Sequence, residues 1–337
     1  MPQISEPAQH VDPRLLGWKE RLASRCTEAV EALAAVPGVT GLVLGGSVGR
    51  GQHWPMSDID LMALCSGRDV RETAADVDRT AYELSAMWGS SGIYTAVDAG
   101  RLTFDEAEVR QTASGGLPAT VERMDDPRWL HGIDKIYGGV AIHDPHDVAA
   151  VFLDWSSRHR FDTGVVARRR ESWCDQAEQL LLDTERLVHS GDATGAWISL
   201  RKAGGALAEV ATERWGQRAG SLGRYWTLFE ARARRHGDPE LAARLMTAAH
   251  AHPQCVSAVV DAVPEWLQDR IALSYSARRL VGEEITPAQN ARDNVLAFAQ
   301  LYRGRFPSAQ QAWMRGEDGA ILQDSIAALT ELLSHLR

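Results

Sequence analysis

The chain is short of several things, and each shortage excludes something. Among 337 residues there are 4 cysteines, and Cys26, Cys65, Cys174 and Cys255 lie far apart with no C-x-x-C pair. That excludes a disulfide-stapled fold and fits reduced thiols in a cytoplasmic protein. No apolar run approaches the roughly 20 residues that span a bilayer, so no membrane association is expected. The opening residues MPQISEPAQHVDP have neither a basic start nor an apolar stretch, so no secretory signal is read there. Positive charge is scarce too: 36 Lys and Arg stand against 45 Asp and Glu, for a net charge of −9. That balance argues against tRNA or DNA as a partner and is compatible with a cationic small molecule. Fixed-period repeats and low-complexity tracts are absent.

What remains is the composition of an ordinary globular protein, 45% hydrophobic and 24% charged, long enough for two domains. The chain is organised around Leu42–Leu64, LVLGGSVGRGQHWPMSDIDLMAL. Leu42, Val43 and Leu44 read as a short buried strand. Gly45-Gly46-Ser47-Val48-Gly49-Arg50-Gly51 is a glycine-rich turn ending in a cation. Ser57-Asp58-Ile59-Asp60-Leu61 starts polar and continues as an apolar strand.

Side chains alternate along a strand, so Asp58 and Asp60 share one face while Ile59 and Leu61 share the other. Adjacent carboxylates raise one another's proton affinity, which calls for a cation between them. Hard oxygen donors on one face suit Mg2+, with Mn2+ as a substitute. Mg2+ takes one or two carboxylates and completes its shell with substrate phosphates and water. Gly45, Gly46 and Gly49 let backbone N–H groups approach an anion, while the Ser47 hydroxyl and the Arg50 guanidinium can hold phosphate oxygens. A phosphate cradle facing paired carboxylates points to phosphoryl or nucleotidyl transfer.

The Gly-Ser-x-x-Arg-Gly turn followed by Ser-Asp-x-Asp-Leu resembles the signature of the polymerase-β-like nucleotidyltransferases. Within them it is most similar to the antibiotic (aminoglycoside and lincosamide) and minimal branches. The resemblance covers some twenty residues, all in the N-terminal part. It implies a small mixed sheet with helices, an α+β arrangement. It also implies an NTP, ATP first, as co-substrate, and an active cleft closed by a second domain. Members of the family place a third carboxylate on the strand after the helix that follows the Asp-x-Asp strand, and Asp98 matches that position. The resemblance therefore makes Asp98 a third metal ligand or the base that activates the acceptor hydroxyl. Asp105, Glu106 and Glu108 nearby fall at a helix start, where the dipole alone favours acids.

In chain order, the spacing predicts a helix from Arg14 to about Val36, a strand over Val39–Leu44, the glycine turn, a strand over Ile59–Leu64, and a helix to about Trp88. A strand over Ile93–Asp98 follows, with a loop or lid over Thr112–Met124 and a strand closed by Asp144-Pro145. His143 and His146 flank that last turn, without the further ligands a zinc site needs. The boundary is expected at residues 145–146, giving a nucleotidyltransferase domain over 1–145 and an all-α bundle over 146–337. In the bundle, Asp192, Asp238-Pro239 and Thr286-Pro287 read as helix starts.

Arg201 and Lys202, beside Gly204-Gly205, are candidates to reach a triphosphate, as basic residues of the second domain do in similar enzymes. The competing reading is a solvated helix face. Arg224, Tyr225 and Trp226 are candidates for the acceptor side. Arg168-Arg169-Arg170 has no assigned role. The expected activity is transfer of a nucleoside monophosphate to a hydroxyl of a small molecule with release of pyrophosphate. The alternative is an antitoxin-like or regulatory nucleotidyltransferase acting on a partner protein.

Overall fold

A computed structural model describes residues 11–90, 92–218, 221–257, 260–302, 312–314 and 319–337. Among the described residues there are five strands: β1 (Val39–Leu44), β2 (Ile59–Cys65), β3 (Val97–Asp98), β4 (Thr103–Asp105) and β5 (Val140–His143). The helices up to β5 are α1 (Trp18–Ala34), α2 (Gly46–Gly49), α3 (Val70–Ser90), α4 (Glu106–Ser114), α5 (Gly116–Arg123) and α6 (Pro127–Ile136). After β5 come α7 (Val148–His159), α8 (Thr163–His189), α9 (Ala193–Arg214), α10 (Tyr225–Arg235), α11 (Pro239–Ala248), α12 (Gln254–Ser257), α13 (Glu265–Leu280), α14 (Pro287–Tyr302) and α15 (Gly319–Leu336).

The chain divides into two compact units, each drawn from several stretches. The first comprises Met1–Ser114, His131–Ser157 and Leu273–Glu284; the second comprises Gly115–Leu130, Arg158–Ala272 and Ile285–Arg337. The boundary read from sequence, at 145–146, falls inside the 131–157 stretch of the first unit.

The first unit holds the sheet, ordered β3-β2-β1-β5 with β4 also on β2. It is mixed. β1 pairs antiparallel with β2 and with β5, whereas β2 pairs parallel with β3 and β4. Every residue of β2 is buried, as expected of a central strand covered on both faces. Leu42, Ile59, Leu61 and Ala63 from the sheet form one core with Leu22, Ala29 and Leu33 of α1 and Val77 and Ala81 of α3. Burying each large aliphatic side chain there stabilises the unit by about 1.5–3 kcal/mol.

Three expectations change. The strand anticipated over residues 93–98 is only Val97–Asp98, because β2 offers it just Ile59 and Asp60 as partners. The segment read as a loop over 112–124 is largely the helix α5, with Thr120 buried. Its Gly116, at φ +63, starts the helix rather than breaking it. The helix anticipated from Arg14 begins at Trp18, after a 3-10 turn over Pro13–Leu15 and a left-handed Gly17.

The second unit is helical. Asp192 caps α9 by accepting from the Gly195 N–H at 2.8 Å, while Asp238 ahead of α11 makes no such bond and Pro239 alone marks that start. The helix α9 is buried on nearly all sides. Gly204 makes this possible on one face, since a Cβ there would overlap the Ala249 side chain. The three consecutive arginines each find a structural partner. Arg168 pairs with Asp125 and Glu171, Arg169 with Glu213, and Arg170 donates to the Leu336 carbonyl.

Candidate functional site

The glycine turn and the acidic strand meet within the first unit. The Gly45 N–H donates to the Asp60 carbonyl at 2.9 Å, which carries the ladder between β1 and β2 one step into the turn. Gly46 then takes φ +59, a conformation glycine adopts at little cost. Its Cα lies directly on the Asp60 side chain, so that a Cβ would overlap the carboxylate. On the other side of the turn a Cβ at Gly45 would overlap the Lys135 carbonyl. These two glycines therefore admit neighbouring protein groups, which is a use of them the sequence reading did not foresee. The Ser47 and Ser57 hydroxyls lie 2.9 Å apart, and Ser57 also accepts from the Trp54 N–H at 3.0 Å. Together they latch α2 to the loop before β2. Arg50 donates from Nη1 to the Tyr137 carbonyl at 3.4 Å.

Asp60 is 1% exposed and sits opposite Asp98 in the parallel register of β2 and β3. Asp58 stands two residues before it, at the mouth of the strand. Burial pushes the Asp60 carboxyl up to about 7, and the charges of Asp58 and Asp98 push the same way. The opposing influence is Lys135, whose Nζ donates to Asp60 Oδ1. Burial works against the Lys135 ammonium, but the carboxylates of Asp60 and Asp58 outweigh it and hold the group protonated. Asp98 accepts from Arg101 Nη2 at 3.0 and 3.2 Å; the Arg101 side chain is largely in solvent.

Lys135 is the residue that sequence reasoning missed. It lies 75 positions beyond Asp60, in the last turn of α6, where a lysine is ordinarily explained by the helix dipole. No spacing in the sequence connects it to the Asp-x-Asp strand.

Other candidates lie elsewhere. Arg201 is enclosed in the core of the second unit. Its Nη1 donates to the Met314 carbonyl at 2.8 Å and its guanidinium lies 5.6 Å from the Trp197 ring centre. Burial pulls its pKa down to about 10. The solvated helix face considered for it is thus not its environment. Lys202, by contrast, is exposed and borders a surface depression shared with Leu180, Asp183 and Arg186. Tyr225 donates to the Gly205 carbonyl at 2.8 Å, and Trp226 is core. His146 Nδ1 is 2.9 Å from Glu106 Oε1. Among the described residues no three of His, Cys, Asp and Glu converge to hold a metal ion.

No family profile and no curated protein sequence matches the chain. One solved structure is similar. It is the spectinomycin adenyltransferase AAD(9) from Enterococcus faecialis with ATP and spectinomycin, at 12% identity over 84% of this chain and 99% of that one, with a TM-score of 0.34. Among the described residues no helix is long and apolar enough to cross a membrane.

What the site can do follows from its donors. Asp58 and Asp60 are hard carboxylate donors, with Asp98 in register beside Asp60, and their charges act together on Asp60, where Lys135 is the cation that answers them. That donor chemistry matches Mg2+, which needs only one or two carboxylates when a phosphate completes its shell.

Proposed function

We propose that the chain is a nucleotidyltransferase. It moves a nucleoside monophosphate from an NTP, ATP in the first instance, to a hydroxyl of a small molecule and releases pyrophosphate. The observation that carries this reading is the seating of the Asp60 carboxylate against Gly46 of the glycine turn, with Asp58 two residues before it and Asp98 across the strand register.

In this reading Asp58 and Asp60 hold Mg2+, which supplies charge neutralisation at the phosphate oxygens. Ser47 and Arg50 orient the triphosphate beside the turn. Asp98 is either a further ligand or the base. As base, its carboxylate takes the acceptor's hydroxyl proton while the acceptor oxygen bonds to the α-phosphorus. The bond from that phosphorus to the bridging oxygen then breaks, and pyrophosphate leaves with its electron pair. Catalysis of this kind is mostly positioning and electrostatics.

The test is transfer of label from α-labelled NTPs to a panel of hydroxylated small molecules. The native chain is expected to bind nucleotide only with Mg2+ or Mn2+ and to label at least one acceptor class. Asp60→Asn should lower turnover on the order of 10³-fold, the scale of losing a preorganised charge-stabilising group, with an unchanged circular dichroism spectrum. A native chain that binds no nucleotide with divalent cation present refutes the reading.

A further inference from the structure

The contact between Lys135 and Asp60 is unequal. Asp60 cannot move: its side chain is 2% exposed, β2 fixes its backbone, and Gly46 closes against its carboxylate. Lys135 can. Its backbone is anchored, with its carbonyl pressed on Gly45, but its side chain is 35% exposed. Four rotatable bonds lead from that anchor to the ammonium. The charges of Asp60 and Asp58 keep the ammonium on Asp60 although burial disfavours it. The cluster it serves carries three carboxylates, Asp58, Asp60 and Asp98, against one ammonium, since Arg101 answers Asp98 from solvent. Three carboxylates against the Lys135 ammonium and one solvated guanidinium leave the cluster net negative, and a divalent cation would neutralise it better.

We infer that the Lys135 ammonium is the resident counter-cation of this cluster, and that a divalent cation displaces it from Asp60 Oδ1, so that lysine and metal compete for one carboxylate. This rests on the reading of Asp58 and Asp60 as metal ligands. It adds that the site is kept folded and charged between turnovers by its own cation, and that metal affinity is set in part by a residue that ligates nothing. Lys135 is in this sense a positioning residue. It neutralises Asp60 while no metal is bound and then yields.

The experiment first reads metal alone, without nucleotide or acceptor. Mn2+ is titrated into the full chain and free Mn2+ is followed by its electron paramagnetic resonance signal, for the native protein, Lys135→Met and Lys135→Gln. The glutamine variant keeps a donor to Asp60 without the charge and guards against a methionine variant that does not fold. Melting temperature is measured with and without Mg2+. Removing the competitor should tighten Mn2+ binding about tenfold, in the usual range for coupling between two bound groups. Each variant should melt lower than the native chain without metal and recover most of the difference with Mg2+. A purely structural lysine would lower the melting temperature without changing the response to metal.

Equal or weaker Mn2+ binding in both variants, with Mn2+ binding to the native chain intact, overturns the inference and leaves the nucleotidyltransferase reading standing. No Mn2+ binding by any of the three proteins, alone or with a non-hydrolysable NTP present, overturns the assignment of the carboxylates as ligands, and the inference with it. Tight binding by the variants and none by the native chain supports the inference in its strongest form.

Discussion

In the helical unit Glu213 takes the guanidinium of Arg160 through two bonds of 2.9 and 3.0 Å and that of Arg169 through Nε at 2.8 Å, and the Arg160 and Glu213 side chains are 0% and 1% exposed. In the sheet unit Asp60 is as deeply buried, yet its one cation is a third exposed and two further carboxylates press on it. The first cluster is closed: each charge has a partner of fixed geometry, and Arg169 also donates to the Leu130 carbonyl. The second is open and carries more negative charge than it can satisfy. A buried charge network with its partners in place is a structural element. One left under-neutralised at the edge of a glycine turn stores a demand for a ligand, and such demands gather at functional sites.

Breaking the closed cluster should therefore have the larger effect on stability. Glu213→Gln removes the carboxylate shared by two buried guanidinium groups and should lower unfolding stability by about 3–5 kcal/mol, read from urea denaturation. A loss under about 1 kcal/mol would mean that water reaches the arginines and that the contrast between the units is wrong.

The open cluster should respond in the opposite direction. The folded-state pKa of Asp60, about 7, lies above its ordinary value. The folded chain therefore binds an extra proton between about pH 4 and pH 7. Stability contributed by that proton is present at low pH and is lost as pH rises through this window. Asp60→Asn should consequently match the native chain near pH 4 and exceed it at pH 8 by about 4 kcal/mol, the order a shift of about three units gives at about 1.36 kcal/mol each, the pull of Lys135 being already part of that shift. Denaturation curves across that range check it, and a variant less stable than native at pH 8 would make Asp60 an ordinary paired acid. Stability gained while turnover is lost is the signature of a strained site.

The smallest effect belongs to the exposed partner of Asp98. Arg101→Ala should change stability by less than about 0.5 kcal/mol, because an ion pair with a solvated arginine contributes little. A melting temperature lowered by several degrees would show that Asp98 depends on Arg101 as Asp60 depends on Lys135.

Much of the sheet was legible beforehand. The apolar run Leu42–Leu44, the glycine turn and the Asp58-Ile59-Asp60 alternation carry their structure locally, in side-chain period and in glycine's freedom. Several helix starts were legible for the same reason: Asp192 reaches the N–H of Gly195, three residues on. Asp98 was singled out only through a resemblance, since a two-residue strand leaves almost no pattern. The helix α5 was hidden because Gly115, Gly116 and Pro118 read as breakers, although Pro118 falls in the first turn, where its missing N–H matters least. Lys135 and the Arg160–Glu213–Arg169 cluster were invisible, because nothing local joins residues so far apart in the chain.

The sequence by itself determined which residues carry charge, where the backbone can turn through a positive φ, and which strand faces are apolar; these are properties of neighbours along the chain. Only the tertiary structure decided which charges meet. It placed a lysine on Asp60 and enclosed Arg201 among helices, because the energy of a charge depends on what surrounds it in space, and burial multiplies that dependence.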